Sequence, residues 1–244
     1  MKKFAISLLA STAIFCGCKD DDCHTPDITP DIEKGLIAYY PLNEDAKDAS
    51  GNNLHATIEG VSAFEAGKVA QAIKLEADKG SYISLPEINF NDMDAFTISI
   101  WVNEEELTHS DGSGYISFGD HHGGHLGIGN YWGSIRFSVG YQLSDKPNSV
   151  SVIYPFDQAD ANKWMLYTMV YDKGVFSAYT NGVLKGTGED AINASNSNAA
   201  IGAHWSANGQ GFFNRFIGMM DDVRIYDRAL TNEEIDFLLK FTGK

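Results

Sequence analysis

The sequence predicts an all-β domain: two antiparallel sheets packed face to face, with one short C-terminal helix. Three observations carry this prediction. Residues 96–102 (FTISIWV) alternate strictly, with Phe96, Ile98, Ile100 and Val102 on one side and Thr97, Ser99 and Trp101 on the other. That is the period of a sheet strand facing a core. Asn181-Gly182 stands between two apolar β-type runs, where a tight hairpin needs two residues that tolerate positive φ. Thr231 precedes Glu234 by three positions, ahead of Ile235, Phe237, Leu238 and Phe241, the pattern of a capped amphipathic helix. Composition agrees, since 24 glycines and only 6 prolines suit many short strands joined by turns. A formal net charge of −15 argues against nucleic-acid binding, which needs a basic face.

The chain opens on a leader. Met1-Lys2-Lys3 is followed by an uncharged, mostly apolar run at residues 4–15. That run is shorter than the roughly 20 residues of a membrane-spanning helix, but it fits a signal-peptide core. The stretch Phe15-Cys16-Gly17-Cys18 resembles a bacterial lipobox, with small Gly17 before the cysteine to be acylated. Bulky Phe15 makes Cys16 the poorer candidate, so residues 1–17 are expected to be a lipoprotein signal and Cys18 the lipid anchor. Lys19-Asp20-Asp21-Asp22 then resembles the acidic export signal of Bacteroidetes-type surface lipoproteins. The expected location is the cell outer membrane, lipid-anchored and facing outward, with the lipid as the only membrane contact. Residues 18–35 read as a tether, because Thr25-Pro26 and Thr29-Pro30 favour extended chain. Cys23 and His24 lack the ligand count of a structural metal site. With all three cysteines near the N-terminus, the domain at residues 36–244 is expected to fold without disulfides.

Within the domain, β-type runs fall at residues 36–41, 72–75, 82–85, 96–102, 115–118, 135–139, 150–154, 164–171, 175–180, 183–184 and 216–226. Trp101 and Trp164 lie in strands and read as packing residues. The helix is expected along one edge of the sandwich.

Three segments together resemble the laminin-G-like, concanavalin A-like jelly rolls. The first is LIAYYPLN at 36–43 followed by DASGN at 48–52. The second runs from Trp164 to Asp172 and into Tyr179-Thr180-Asn181-Gly182. The third is GMMDDVRIY at 218–226, followed by Arg228-Ala229-Leu230-Thr231 and Glu234-Ile235. The resemblance implies two sheets joined as a jelly roll, a concave face and loops at its rim. It leaves the activity open, since lectins, glycan-binding modules, glycosidases and adhesion domains share this fold.

Glycosidases of this fold place their carboxylates together on one strand, the acid and nucleophile of retaining members being about 5 Å apart. Glu234-Ile235-Asp236 lacks the final glutamate and lies on the expected helix, and Glu104-Glu105-Glu106 reads as a loop triplet. Neither supports an enzyme. His121, His122 and His125 share a Gly-rich loop, with His109 and His204 as possible spatial neighbours. They could bind a transition metal or offer hydrogen bonds to a sugar. Calcium is expected at Asn43, Asp48 and Asp221, because the resemblance places the first strand beside Asp221 and calcium takes oxygen ligands. The competing reading has Asp48 capping its own turn, with Asp221 fixing a loop or pairing with Arg224. Finally, Tyr131 and Trp132 beside Asn130, and Trp205 in a second Gly-rich loop, suit a sugar's apolar face and its hydroxyls. The expected ligand-binding set is therefore Tyr131, Trp132, Trp205, Asn130, His122, His125 and His204. The function expected is surface-anchored, non-catalytic glycan binding; the alternatives are an adhesion or assembly protein that binds another protein, and a divergent glycoside hydrolase.

Overall fold

The computed structural model describes residues 29–105, 112–120, 124–143, 146–189, 198–206, 211–213 and 215–243, with Ile192 and Ala194. In chain order the strands are β1 (Leu36–Tyr40), β2 (Thr57–Glu59), β3 (Ala63–Ala66), β4 (Gln71–Leu75), β5 (Tyr82–Leu85) and β6 (Ala95–Glu104). Then come β7 (Ser113–Asp120), β8 (Gly124–Tyr131), β9 (Ser134–Leu143), β10 (Lys146–Pro155), β11 (Met165–Asp172) and β12 (Val175–Thr180). The last are β13 (Val183–Glu189), β14 (Ala199–Ile201), β15 (His204–Ser206), β16 (Gly211–Phe213) and β17 (Gly218–Tyr226), before helix α1 (Asn232–Lys240).

The strands form the two-sheet antiparallel sandwich. The first sheet runs β13-β12-β11-β6-β17-β4-β3, with β1 also paired to β17; the second runs β10-β9-β8-β7-β14-β5-β2, with the β15–β16 hairpin attached through β7. The alternation in β6 does what its period requires. Phe96, Ile98, Ile100 and Val102 enter the core between the sheets, where they meet Tyr115, Phe118, Leu126, Ile128 and Phe137 from the second sheet. The opposite side of β6 is buried as well. Trp101 joins Leu166, Val170, Ile235 and Leu238 in a smaller cluster under α1. The helix thus lies on the outer face of the first sheet, not along an edge, because that face supplies the apolar stripe its own needs. Thr231 and Glu234 close the expected capping box.

Asn181-Gly182 turns between β12 and β13 with φ of 48° and 74°. Asn181 earns its place twice, since its side-chain oxygen also accepts the Leu166 N–H at 2.8 Å. Glu104 departs from the loop expected of its triplet. It ends β6, buried, and its Oε2 accepts from Tyr115 Oη at 2.8 Å and Asn130 Nδ2 at 3.0 Å. Glu105 pairs with Lys74 at 3.1 Å, and Glu106 lies outside the described residues.

Candidate functional site

The outer face of the second sheet holds most of the expected ligand residues, and β8 is the reason. This strand was expected to be part loop because of its glycines, yet it pairs along its length with β7 and β9. Leu126 and Ile128 point into the core, so His125, Gly127, Gly129 and Tyr131 face outward by alternation. The two glycines make room for rings. A Cβ at Gly127 would come within 2.8 Å of His125 Nε2, and one at Gly129 within 2.7 Å of Tyr131 Cε2. Without side chains at those positions, the imidazole and the phenol lie back over their own strand.

The β15–β16 hairpin then covers them. Ser117 Oγ donates to the Ala203 carbonyl at 2.9 Å, bringing the following residues over β7. His204 packs at a tilt against His125 with ring centroids 4.3 Å apart, and stacks on Phe213 at 5.4 Å. Its Nδ1 lies 3.3 Å from Tyr131 Oη. Burial pushes the Tyr131 hydroxyl well above its ordinary range. His125, His204 and Tyr131 are all buried, so this hairpin fills the middle of a face expected to be open.

These placements correct the expected set. Tyr131, His125 and His204 form a covered cluster, because the hairpin seals them from solvent. Asn130 faces the core and serves Glu104, since it shares the inward parity of Leu126 and Ile128. Trp205 is half-buried, edge-on to Phe212 at 5.0 Å, and Phe212 in turn packs on Tyr82 at 4.6 Å. His122, with His109 and His121, lies outside the described residues. Among the described residues no group of three or more His, Cys, Asp or Glu side chains could hold a metal ion.

Trp132 remains, and it is 67 % exposed. It and Gly133 form the two-residue turn between β8 and β9, with φ of 53° and 74°. Positive φ at both positions marks the primed turn that matches strand twist, but a bulky side chain is unusual there. The turn is braced by the Phe156 N–H donating to the Gly133 carbonyl at 3.0 Å. Beside it, the Arg136 guanidinium sits 5.9 Å from the Trp132 ring centroid and 6.0 Å from that of Tyr131. This Arg–aromatic arrangement was missed in the sequence. Reading β9 from Ser134 would have placed Arg136 on the outward parity, two positions along.

The expected calcium residues lie at the other side of the sandwich. Asp48 caps its turn: Oδ1 accepts from the Tyr39 and Ser50 amides at 3.0 and 2.8 Å, and Oδ2 from Ser50 Oγ and the Leu54 amide at 2.9 and 3.0 Å. These four bonds occupy both oxygens, as the turn-capping reading requires. Asn43 and Asp221 instead hold one turn between β3 and β4. Asn43 Oδ1 accepts the Gln71 N–H at 2.9 Å, and Asp221 Oδ2 accepts the Val69 N–H at 2.7 Å. Arg224 pairs with Asp222, not Asp221. Asp221 is fully buried, and its Oδ1 has no hydrogen-bond partner. Burial pushes its carboxyl up to about 7, against the pull of the backbone amides it accepts from.

A family model described as the concanavalin A-like lectin/glucanases superfamily matches residues 77–236. Among solved structures, domain 4 of AbnA, an extracellular arabinanase from Geobacillus stearothermophilus in complex with arabinotriose, is similar at 23 % identity and a TM-score of 0.65. The match covers 84 % of this chain and 98 % of that one. The binding domain of Paraclostridial Mosquitocidal Protein 1 is similar at 20 % identity and a TM-score of 0.66, over 85 % of this chain and 52 % of that one. A binding domain of Botulinum Neurotoxin DC in complex with SialylT gives 20 % identity and a TM-score of 0.66, over 86 % and 51 %. This chain therefore spans about half the length of the two toxin domains. No curated protein matches by sequence.

Proposed function

Given that the chain belongs to the concanavalin A-like lectin/glucanase family, we propose that it binds glycans without cleaving them, using the end of the second sheet around Trp132. One observation carries the reading: a tryptophan held two-thirds exposed at a turn position where bulky residues are strained. Such outliers persist where the surroundings over-determine them, and they gather at ligand sites. An exposed indole offers a flat apolar face to the C–H side of a sugar, and the arginine beside it supplies donors for oxygen atoms. The AbnA domain 4 structure, of the same fold, is a complex with arabinotriose, which supports glycan binding as a use of this architecture.

The proposal extends to location. The apolar leader, Gly17-Cys18 and the acidic run after it support a lipoprotein of the outer membrane, anchored through Cys18 and facing outward. Calcium belongs to the proposal as a structural ion held by Asn43 and Asp221. The unpartnered, buried Asp221 Oδ1 supports this; Asp48, saturated by its own turn, is left out of the ligand set. A glycan array probed with the purified protein, and repeated with Trp132→Ala, tests the central claim. Binding that Trp132→Ala weakens at least tenfold supports it. An array with no bound glycan, or one indifferent to Trp132, refutes it.

A further inference from the structure

We propose that the glycan bound at this face is acidic, its carboxylate taken by Arg136 while Trp132 stacks on a sugar ring. The inference rests on the glycan-binding reading above and adds the charge of the ligand.

Acidic residues outnumber basic ones in this chain, 33 Asp and Glu to 18 Lys and Arg, and carboxylates pair with two of its arginines. Arg224 pairs with Asp222, and Arg228 with Glu234. Arg136 has no such partner among the described residues. Its cross-strand neighbours are Gly129, which has no side chain, and Ile153, which is apolar and 52 % exposed. Its Nε is buried without a hydrogen-bond partner. The guanidinium is held instead by the faces of Tyr131 and Trp132.

That support holds the charge but leaves the Nε N–H without an acceptor, and a buried donor left unmade is costly. The planar fork of an arginine matches a carboxylate with two parallel hydrogen bonds. Arg136 lies on one side of the indole. A sugar chain stacked on the free side of Trp132 therefore reaches the guanidinium past the ring edge, through a carboxylate at the end of the stacked unit or on the adjoining sugar. A uronic or sialic acid would therefore fill both halves of the site together. Arg215 also lacks a partner at Nε and lies 5.8 Å from the Tyr82 ring centroid. It has no strongly exposed ring beside it, and so no comparable stacking surface.

The test compares charged sugars with their neutral counterparts on the purified protein by calorimetry. The probes are oligogalacturonate and hyaluronan oligosaccharides, each against its carboxyl-reduced form, and sialyllactose against its methyl ester. At least one acidic probe should bind ten times or more tighter than its neutral form. Arg136→Gln should erase that preference, and Arg136→Lys should retain part of it; melting curves confirm that both variants fold. Equal binding of charged and neutral forms, or a preference that survives Arg136→Gln, overturns the inference while leaving glycan binding standing. Failure of every probe, charged and neutral, together with an array that finds no other glycan, overturns both.

Discussion

Replacing Trp132 with Asn separates ligand binding from folding more sharply than truncation does. Asn tolerates positive φ, so it suits the primed turn that Trp132 occupies at φ 53°. A left-handed backbone at a non-glycine residue costs roughly 1–2 kcal/mol, and Asn should recover part of that. Against this stands the lost contact with Arg136, worth about 0.5–1 kcal/mol at an exposed site, and the buried third of the ring. A tryptophan buries about 150–250 Å² in full, so that third amounts to about 50–80 Å², or about 1.3–2 kcal/mol at roughly 25 cal/mol per Å². The losses outweigh the gain, and stability should fall by about 1–2 kcal/mol. The melting temperature should then fall by about 2–8 °C, at about 2–4 °C per kcal/mol. Binding should respond differently. A sugar covering half of the exposed two-thirds of the ring also buries about 50–80 Å², so the variant should lose roughly ten- to thirtyfold in affinity. Differential scanning calorimetry and titration calorimetry on the same preparation measure both. A loss near the 3–5 kcal/mol of a buried tryptophan, or an unchanged glycan affinity, would refute the argument.

Gly129→Ala should be destabilising by about 1–3 kcal/mol, because its Cβ would meet the Ser113 carbonyl at 2.6 Å and the Tyr131 ring at 2.7 Å. Thermal melting checks the cost, and a wild-type melting curve would refute the close packing of the ring on its strand. Asp221, whose carboxyl titrates near 7 when folded against an ordinary 3.8, makes stability pH-dependent. Between those values the unfolded chain gives up a proton that the folded chain keeps, so stability in chelator should fall as pH rises from about 4 to 7 and then level off. Asp221→Asn should flatten that slope, and calcium above pH 7 should raise the wild-type melting temperature; an indifferent curve would retire the ion. Cys18→Ala should abolish incorporation of labelled fatty acid and release the protein from membranes, and continued labelling would refute the anchor.

The elements most legible in the sequence were those whose signals are local. The alternation of residues 96–102, the Asn181-Gly182 turn and the Thr231–Glu234 box each specify a structure within a few residues, and each is present. Strand β8 was hidden because glycine reads as a turn former. In Gly127 and Gly129 it serves side-chain packing, which becomes visible only once the rings of His125 and Tyr131 are placed. The hairpin over the second sheet was hidden for a related reason. Residues 202–206 carry no periodic signal, and their position depends on contacts with β7 and β8, distant in sequence. Burial of His204 and His125 follows from that placement alone, so polar residues read as ligands became packing. Trp132 was legible as a loop aromatic; the arginine beside it required the register of β8 with β9.

Arg228 gives the fold a mechanical property at its entrance. Its Nε donates to the Lys34 carbonyl at 2.7 Å, its Nη2 to the Asp31 carbonyl at 3.1 Å, and its Nη1 to Glu234 at 2.8 Å. Thr97 of the central strand β6 holds the Arg228 carbonyl at 2.8 Å. Any pull arriving along the N-terminal segment is therefore met first by one side chain wired to the helix cap and to the middle of the first sheet. The few hydrogen bonds that join β1 to β17 are spared until that clamp gives way, as a cable clip protects the joint behind it.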